Sequence, residues 1–256
     1  MGLDASPNPQ DIEGEHYLRS DTGVVVYRRA AYHPLLRDTD LIHPDFQRKL
    51  SEVYTQGRVR GLPKICSENS EDARTWHVFS QLLSRADRRA PFLCRMLETG
   101  LCRPLPWLDS DALEKAEMGF WWGRDAGVQQ YPPPDTLSLP EGNTEVDLTI
   151  RVPGLALVFL EAKWQSGLSV TTRSGRDQAC RNVDVGSWHA ARAGFPHFVF
   201  LLLTAETAPP PELDRLREPD ELQARLSHRS DLTSGQITEL SQHVGWLNWH
   251  HLPPHH

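Results

Sequence analysis

Cysteine and lysine are both scarce in this chain. The four cysteines among 256 residues, Cys66, Cys94, Cys102 and Cys180, form no C-x-x-C pair. They read as reduced, buried thiols of a cytosolic protein and not as a disulfide framework. Of the 27 basic side chains only Lys49, Lys64, Lys115 and Lys163 are lysines, an imbalance typical of GC-rich coding that makes Lys163 stand out. No run of roughly 18 apolar residues occurs, so no membrane span is expected. The opening "MGLDASPNPQDIEGEHY" is acidic and polar, unlike a signal peptide. Gly2 and Ser6 fit the loose myristoylation pattern, which is too short to carry weight and needs a eukaryotic modifying enzyme. A Gly-rich phosphate loop is missing, which excludes a nucleotide-driven motor of that type. The net charge of −7 argues against a protein that coats nucleic acid nonspecifically. A local basic groove remains open, because Arg85, Arg88, Arg89 and Arg95 cluster in one stretch and Arg173, Arg176 and Arg181 in another. Each cluster also fits a solvated helix face.

What is present alternates between helical and strand-like patterns. Residues 22–32 read as a β-branched strand and 43–57 as a helix, with Pro44 in its first turn and Gly57 beyond its end. Residues 70–86 read as a helix capped by Ser70, with Glu71 and Asp72 at the positive end of its dipole. A second helix is expected over 90–100, and a strand or a short helix leading into one over 116–124. Residues 125–143 and the proline-rich 205–221 read as connections. The stretch 174–194 reads as a helix stopped by Gly194, and "FPHFVFLLLT" (195–204) as a strand buried on both faces. A helix near 234–243 and a short strand over 245–252 close an α/β order.

Between these lies "EVDLTIRVPGLALVFLEAKW" (145–164), an apolar hairpin that carries Asp147, Glu161 and Lys163. Alternation puts Glu161 and Lys163 on one face of the second strand. The turn decides whether Asp147 joins them. A two-residue Pro153-Gly154 loop would pair Asp147 with Leu160. A three-residue loop, with Gly154 in the left-handed region, would pair it with Glu161, Cβ atoms roughly 4.5–5.5 Å apart. Two carboxylates that close raise each other's pKa, and a divalent cation such as Mg²⁺ relieves the conflict. Lys163 would then serve the attacking water or the charge developing on phosphorus.

D-(x)n-E-x-K on adjacent strands resembles the active-site motif of the PD-(D/E)XK nuclease superfamily, matched here by Asp147, Glu161 and Lys163. The apolar "VFLE" approach agrees. So does the following helix, which carries Gln178, Arg181 and Asn182 on one face where several branches keep a glutamine. Glu71 resembles the acid many members place on their first core helix. Val146 stands where the motif's proline would be. The resemblance implies a restriction-endonuclease-like core of αβββαβ order, a mixed four-stranded sheet flanked by helices. On that reading residues 65–204 are the core, 1–64 an N-terminal extension and 205–256 a C-terminal one.

It further implies a Mg²⁺- or Mn²⁺-dependent nuclease acting on nucleic acid, DNA first, in the cytoplasm. Asp147, Glu161 and the Ala162 carbonyl would hold the metal, Lys163 would orient water, and Glu71 and Gln178 would assist. Arg173, Arg176 and Arg181 would meet phosphates. A second copy, or proteins of a larger bacterial defence or repair system, would be its company. A non-catalytic nucleic-acid- or protein-binding subunit on the same fold is the alternative. The plain readings stand beside these: Glu71 as a dipole-complementing acid, Gln178 as a solvated helix residue, and Glu161–Lys163 as a surface ion pair. The tail "NWHHLPPHH" carries His250, His251, His255 and His256 but lacks a partner zinc motif.

Overall fold

A computed structural model describes residues 2–138, 141–164, 167–168 and 176–252. The chain divides into two compact units, 1–85 and 86–256.

The N-terminal unit holds a two-stranded antiparallel ribbon, β1 (Tyr17–Arg19) and β2 (Val25–Tyr27), and two short helices, α1 (Pro44–Leu50) and α2 (Glu71–Phe79). Ser70 caps α2 by accepting from Ala73 N at 3.0 Å, as its place before two acids requires. Both helices are shorter than expected. After α1 the chain turns back on itself, with Tyr54 N donating to Leu62 O at 2.9 Å and Val53 bridged to Pro63. After Phe79 the α2 pattern tightens into a 3-10 turn over Ser80–Leu82.

The C-terminal unit is built on a mixed five-stranded sheet in the order β3 (Glu117–Trp122), β4 (Val146–Val152), β5 (Ala156–Ala162), β6 (His197–Thr204) and β7 (Val244–Asn248). The first three strands form an antiparallel meander. β5 runs parallel to β6, and β6 parallel to β7. The helices of this unit are α3 (Ala86–Leu101), α4 (Ser110–Glu114), α5 (Gln178–Arg192), α6 (Pro211–Arg217), α7 (Pro219–Arg225) and α8 (Ser234–Gln242). α5 is the crossover that lets β6 lie parallel to β5.

Two expectations are corrected here. The sheet has five strands, not four, because "VGWLN" pairs along β6 from Phe200↔Val244 to Thr204↔Asn248. The connection 205–221 is not a plain loop: Pro211 and Pro219 open α6 and α7. Proline fits a first helical turn, where its missing N–H is no loss.

β5 and β6 are buried almost throughout, as a strand covered on both faces demands. α5 lies close on them. A Cβ at Gly186 would meet the Phe198 ring at 2.1 Å and the Phe159 ring at 2.9 Å, so glycine sets the depth at which α5 docks. Ala179, Cys180, Val183 and Ala190 of α5 pack into one core with Phe159, Phe200 and Leu202. That docking carries the start of α5 over the end of β5.

Candidate active site

The β4–β5 turn is the three-residue loop. Gly154 takes φ 70°, and Leu155 N donates to Val152 O at 3.0 Å. Val152 pairs with Ala156 and Leu148 with Leu160. One step further, the same register sets Asp147 across from Glu161 on the face that α5 covers. Asp147 Oδ2 accepts from Ala162 N at 2.8 Å, which turns this carboxylate toward the end of β5. In extended backbone the N–H and C=O of one residue leave the strand by the same edge. The Ala162 carbonyl therefore also leaves toward Asp147.

Glu161 is 1% exposed. A carboxylate so far from water requires donors, and Lys163, Gln178 and Asn182 supply them. Lys163 Nζ reaches Glu161 Oε1 at 2.8 Å, Gln178 Nε2 meets the same oxygen at 2.5 Å, and Asn182 Nδ2 donates to Oε2 at 3.0 Å. Gln178 and Asn182 lie four residues apart, on one face of α5. Lys163 is fixed at its backbone as well: its N donates to Leu203 O at 2.7 Å, and Trp249 Nε1 donates to its carbonyl at 2.9 Å.

On the opposite side of β4, Trp122 pairs with Val146 and Phe120 with Leu148. Trp121 therefore stands across from Asp147, and it does so at φ 54° with its side chain buried. A left-handed tryptophan costs on the order of 1–3 kcal/mol and persists only where the surroundings hold it.

The remaining sequence candidates separate. Arg181, between Gln178 and Asn182, makes no ion pair among the described residues, and its Nε is buried without a hydrogen-bond partner. Arg176 is drawn into a buried ion network, with its Nη2 2.7 Å from Asp184 Oδ2. The same carboxylate takes His228 Nε2 at 2.8 Å and Arg229 Nη1 at 3.0 Å. Burial works to lower both guanidiniums, but the facing carboxylates outweigh it and hold Arg176 and Arg229 above their ordinary values. Arg173 lies outside the described residues. Glu71 stands in the first turn of α2, in the N-terminal unit, whereas Asp147, Glu161, Lys163 and Gln178 belong to the C-terminal one.

Asn182 was visible in the sequence only as a neighbour of Gln178 on a helix face; its bond to Glu161 depends on how α5 docks. Trp249 gave no signal at all, because its link to Lys163 spans 86 residues. Beside Lys163 a cleft of about 540 Å³ opens, bordered by Trp164, Leu168, Thr204, Glu206 and Pro209.

Charge and donor type decide what the group could hold. Asp147, Glu161 and the Ala162 carbonyl offer hard oxygens, the set that Mg²⁺ and Mn²⁺ prefer. Comparison with family models, curated proteins and solved structures yields no match for this chain.

Proposed function

We propose that the chain is a metal-dependent nuclease that hydrolyses phosphodiester bonds in nucleic acid, DNA first. The observation that carries this reading is the hairpin register, which puts Asp147 across from Glu161 with Lys163 bonded to Glu161. The meander β3–β5, crossover α5 and parallel β6 follow the order that the PD-(D/E)XK resemblance implies, with β7 as an addition at the sheet edge; the helices before the meander in this unit are α3 and α4, not the α2 that carries Glu71.

The donor set fits Mg²⁺ or Mn²⁺, with Asp147, Glu161 and the Ala162 carbonyl as its holders. When bound, such an ion supplies Lewis-acid polarisation of the phosphoryl oxygen and charge neutralisation. The chain's own side chains supply orientation. Gln178 and Asn182 hold the Glu161 carboxylate in one rotamer. Lys163 presents an ammonium able to orient a water and to face the negative charge of the transition state. Arg181 offers a guanidinium for a phosphate oxygen. The free cysteines fit a reducing, cytoplasmic setting.

One observation favours a second reading. Lys163 and Glu161 already neutralise each other in an ion pair at 2.8 Å, as they would in a non-catalytic binding subunit. Incubating the protein with single- and double-stranded DNA and RNA in Mg²⁺ or Mn²⁺, against EDTA, separates the two. Metal-dependent cleavage supports the nuclease; binding without cleavage in any metal supports the subunit.

A further inference from the structure

Nothing in the nuclease reading uses the group at the other end of β6. There His197, Glu239 and His243 bring their ligand atoms within 4.8 Å of one another. We propose that these three residues form a second metal site, for a borderline transition ion such as Zn²⁺.

Three observations support it. The ligands come from two neighbouring places: His197 opens β6, while Glu239 sits in the last turn of α8 and His243 is the residue that caps that helix, just before β7. His197 Nδ1 lies 3.2 Å from Glu239 Oε1. Two ligands of one tetrahedral Zn²⁺, at about 2.0–2.1 Å each, stand about 3.3 Å apart, so this edge already has the required length. The third donor lies within 4.8 Å of the others, so closing on one ion needs a shift of up to about 1.5 Å, which the half-exposed Glu239 side chain can take up with His197.

The imidazoles are also oriented. The Trp107 ring stacks on His197 with centroids 4.4 Å apart and 23° between planes, and meets His243 edge-on at 6.0 Å. The His243 backbone is held on both sides: its carbonyl accepts from Phe200 N at 3.0 Å and its N donates to Leu240 O at 3.0 Å. Support of this kind, around the ligands instead of on them, distinguishes a built site from a chance surface group.

The donor chemistry selects the ion. Two imidazoles and one carboxylate suit zinc, copper, nickel or iron; Mg²⁺ takes oxygen ligands. The group is also distant from the carboxylates of the candidate active site. His197 pairs with Ala156, and Leu202, five residues along β6, pairs with Glu161, a separation of about 16 Å. Arg103, which donates to Gln242 Oε1 at 3.0 Å, adds a cation near His243 that works against a bound cation. Three protein ligands leave one position for water, and the ion would tie α8 to the entry of β6.

Calorimetric titration of the metal-stripped full chain with ZnCl₂, with MgCl₂ as comparison, tests this. The expected result is one Zn²⁺ per chain, a rise in Tm on loading, and no competition by Mg²⁺. Glu239→Gln and His197→Ala should each weaken binding at least tenfold. Glu239 is exposed, so its variant keeps the fold and the test does not depend on the buried His243. A variant with His255→Ala and His256→Ala should bind as wild type does, which separates the site from the last two histidines of the chain. Equal Zn²⁺ affinity in wild type and Glu239→Gln, loss of binding with the tail variant alone, or no binding below about 100 μM would each overturn the proposal.

Discussion

The Asn182 amide donates to Glu161 Oε2 at 3.0 Å from a side chain with no exposure to solvent. This bond joins the docking of α5 to the carboxylate at the end of β5. Asn182→Ala would leave a buried carboxylate oxygen short of a donor, a loss of about 1–3 kcal/mol. Stability should fall by that amount in urea denaturation. Mn²⁺ affinity should fall with it, because Glu161 is no longer held in one rotamer. Unchanged stability would show that water replaces the amide and that α5 does not fix Glu161.

Asp184 governs a different part of the same helix. It is wholly buried and faces Arg176, His228 and Arg229, the last also fully buried. Asp184→Ala strands the two guanidiniums and removes the acceptor that faces His228. A loss of about 3–5 kcal/mol is expected, the scale for removing one partner from a buried ion network. Denaturation by urea reads it directly. A loss under about 1 kcal/mol would mean that Glu141, 3.6 Å from Arg176 Nη1, and Asp231, 2.8 Å from Arg229 Nη2, neutralise the arginines on their own.

His33 sets a pH dependence in the N-terminal unit. Leu35 N donates to its Nδ1 at 3.1 Å, and its Nε2 lies 3.2 Å from Ser67 O. A proton on Nδ1 would displace the first bond, so the folded imidazole is neutral; burial pushes its pKa down to about 4 from 6.5. Between those values the unfolded chain takes up a proton that the folded chain refuses. Stability is therefore full above pH 6.5 and falls as the pH drops toward 4, by up to about 3 kcal/mol from this group. His33→Gln should flatten that part of the profile when urea midpoints at pH 7 and pH 4.5 are compared. Identical slopes in both proteins would place the proton elsewhere.

Local chemistry made much of this legible. The hairpin, its charged residues and the two registers open to it follow from alternation and from Gly154, and the structure selects the three-residue loop. Long-range pairing was not legible. β7 looks in sequence like a short terminal strand, and only its ladder with β6 makes it the fifth strand of the sheet. Pro211 and Pro219 signal a loop or a helix start equally well, and the apolar Leu213, Leu216 and Leu222 that bury α6 and α7 decide between them. Arg176 looked like Arg181 in sequence. What separates them is Asp184, two helical turns along α5, which faces the first and not the second.

The central claim is that the charged residues of the hairpin form a metal-dependent phosphodiesterase site. The most direct measurement pairs DNA cleavage with calorimetric Mn²⁺ binding in wild type, Asp147→Ala and Lys163→Ala. Asp147→Ala should lose both properties, because one of two carboxylates and the acceptor of Ala162 N are removed together. Lys163→Ala should keep Mn²⁺ binding within a few-fold while cleavage falls at least 100-fold, the scale of losing one electrostatic stabiliser. Cleavage by Lys163→Ala at the wild-type rate, or a wild type that neither binds Mn²⁺ nor cuts any nucleic acid, would contradict the account.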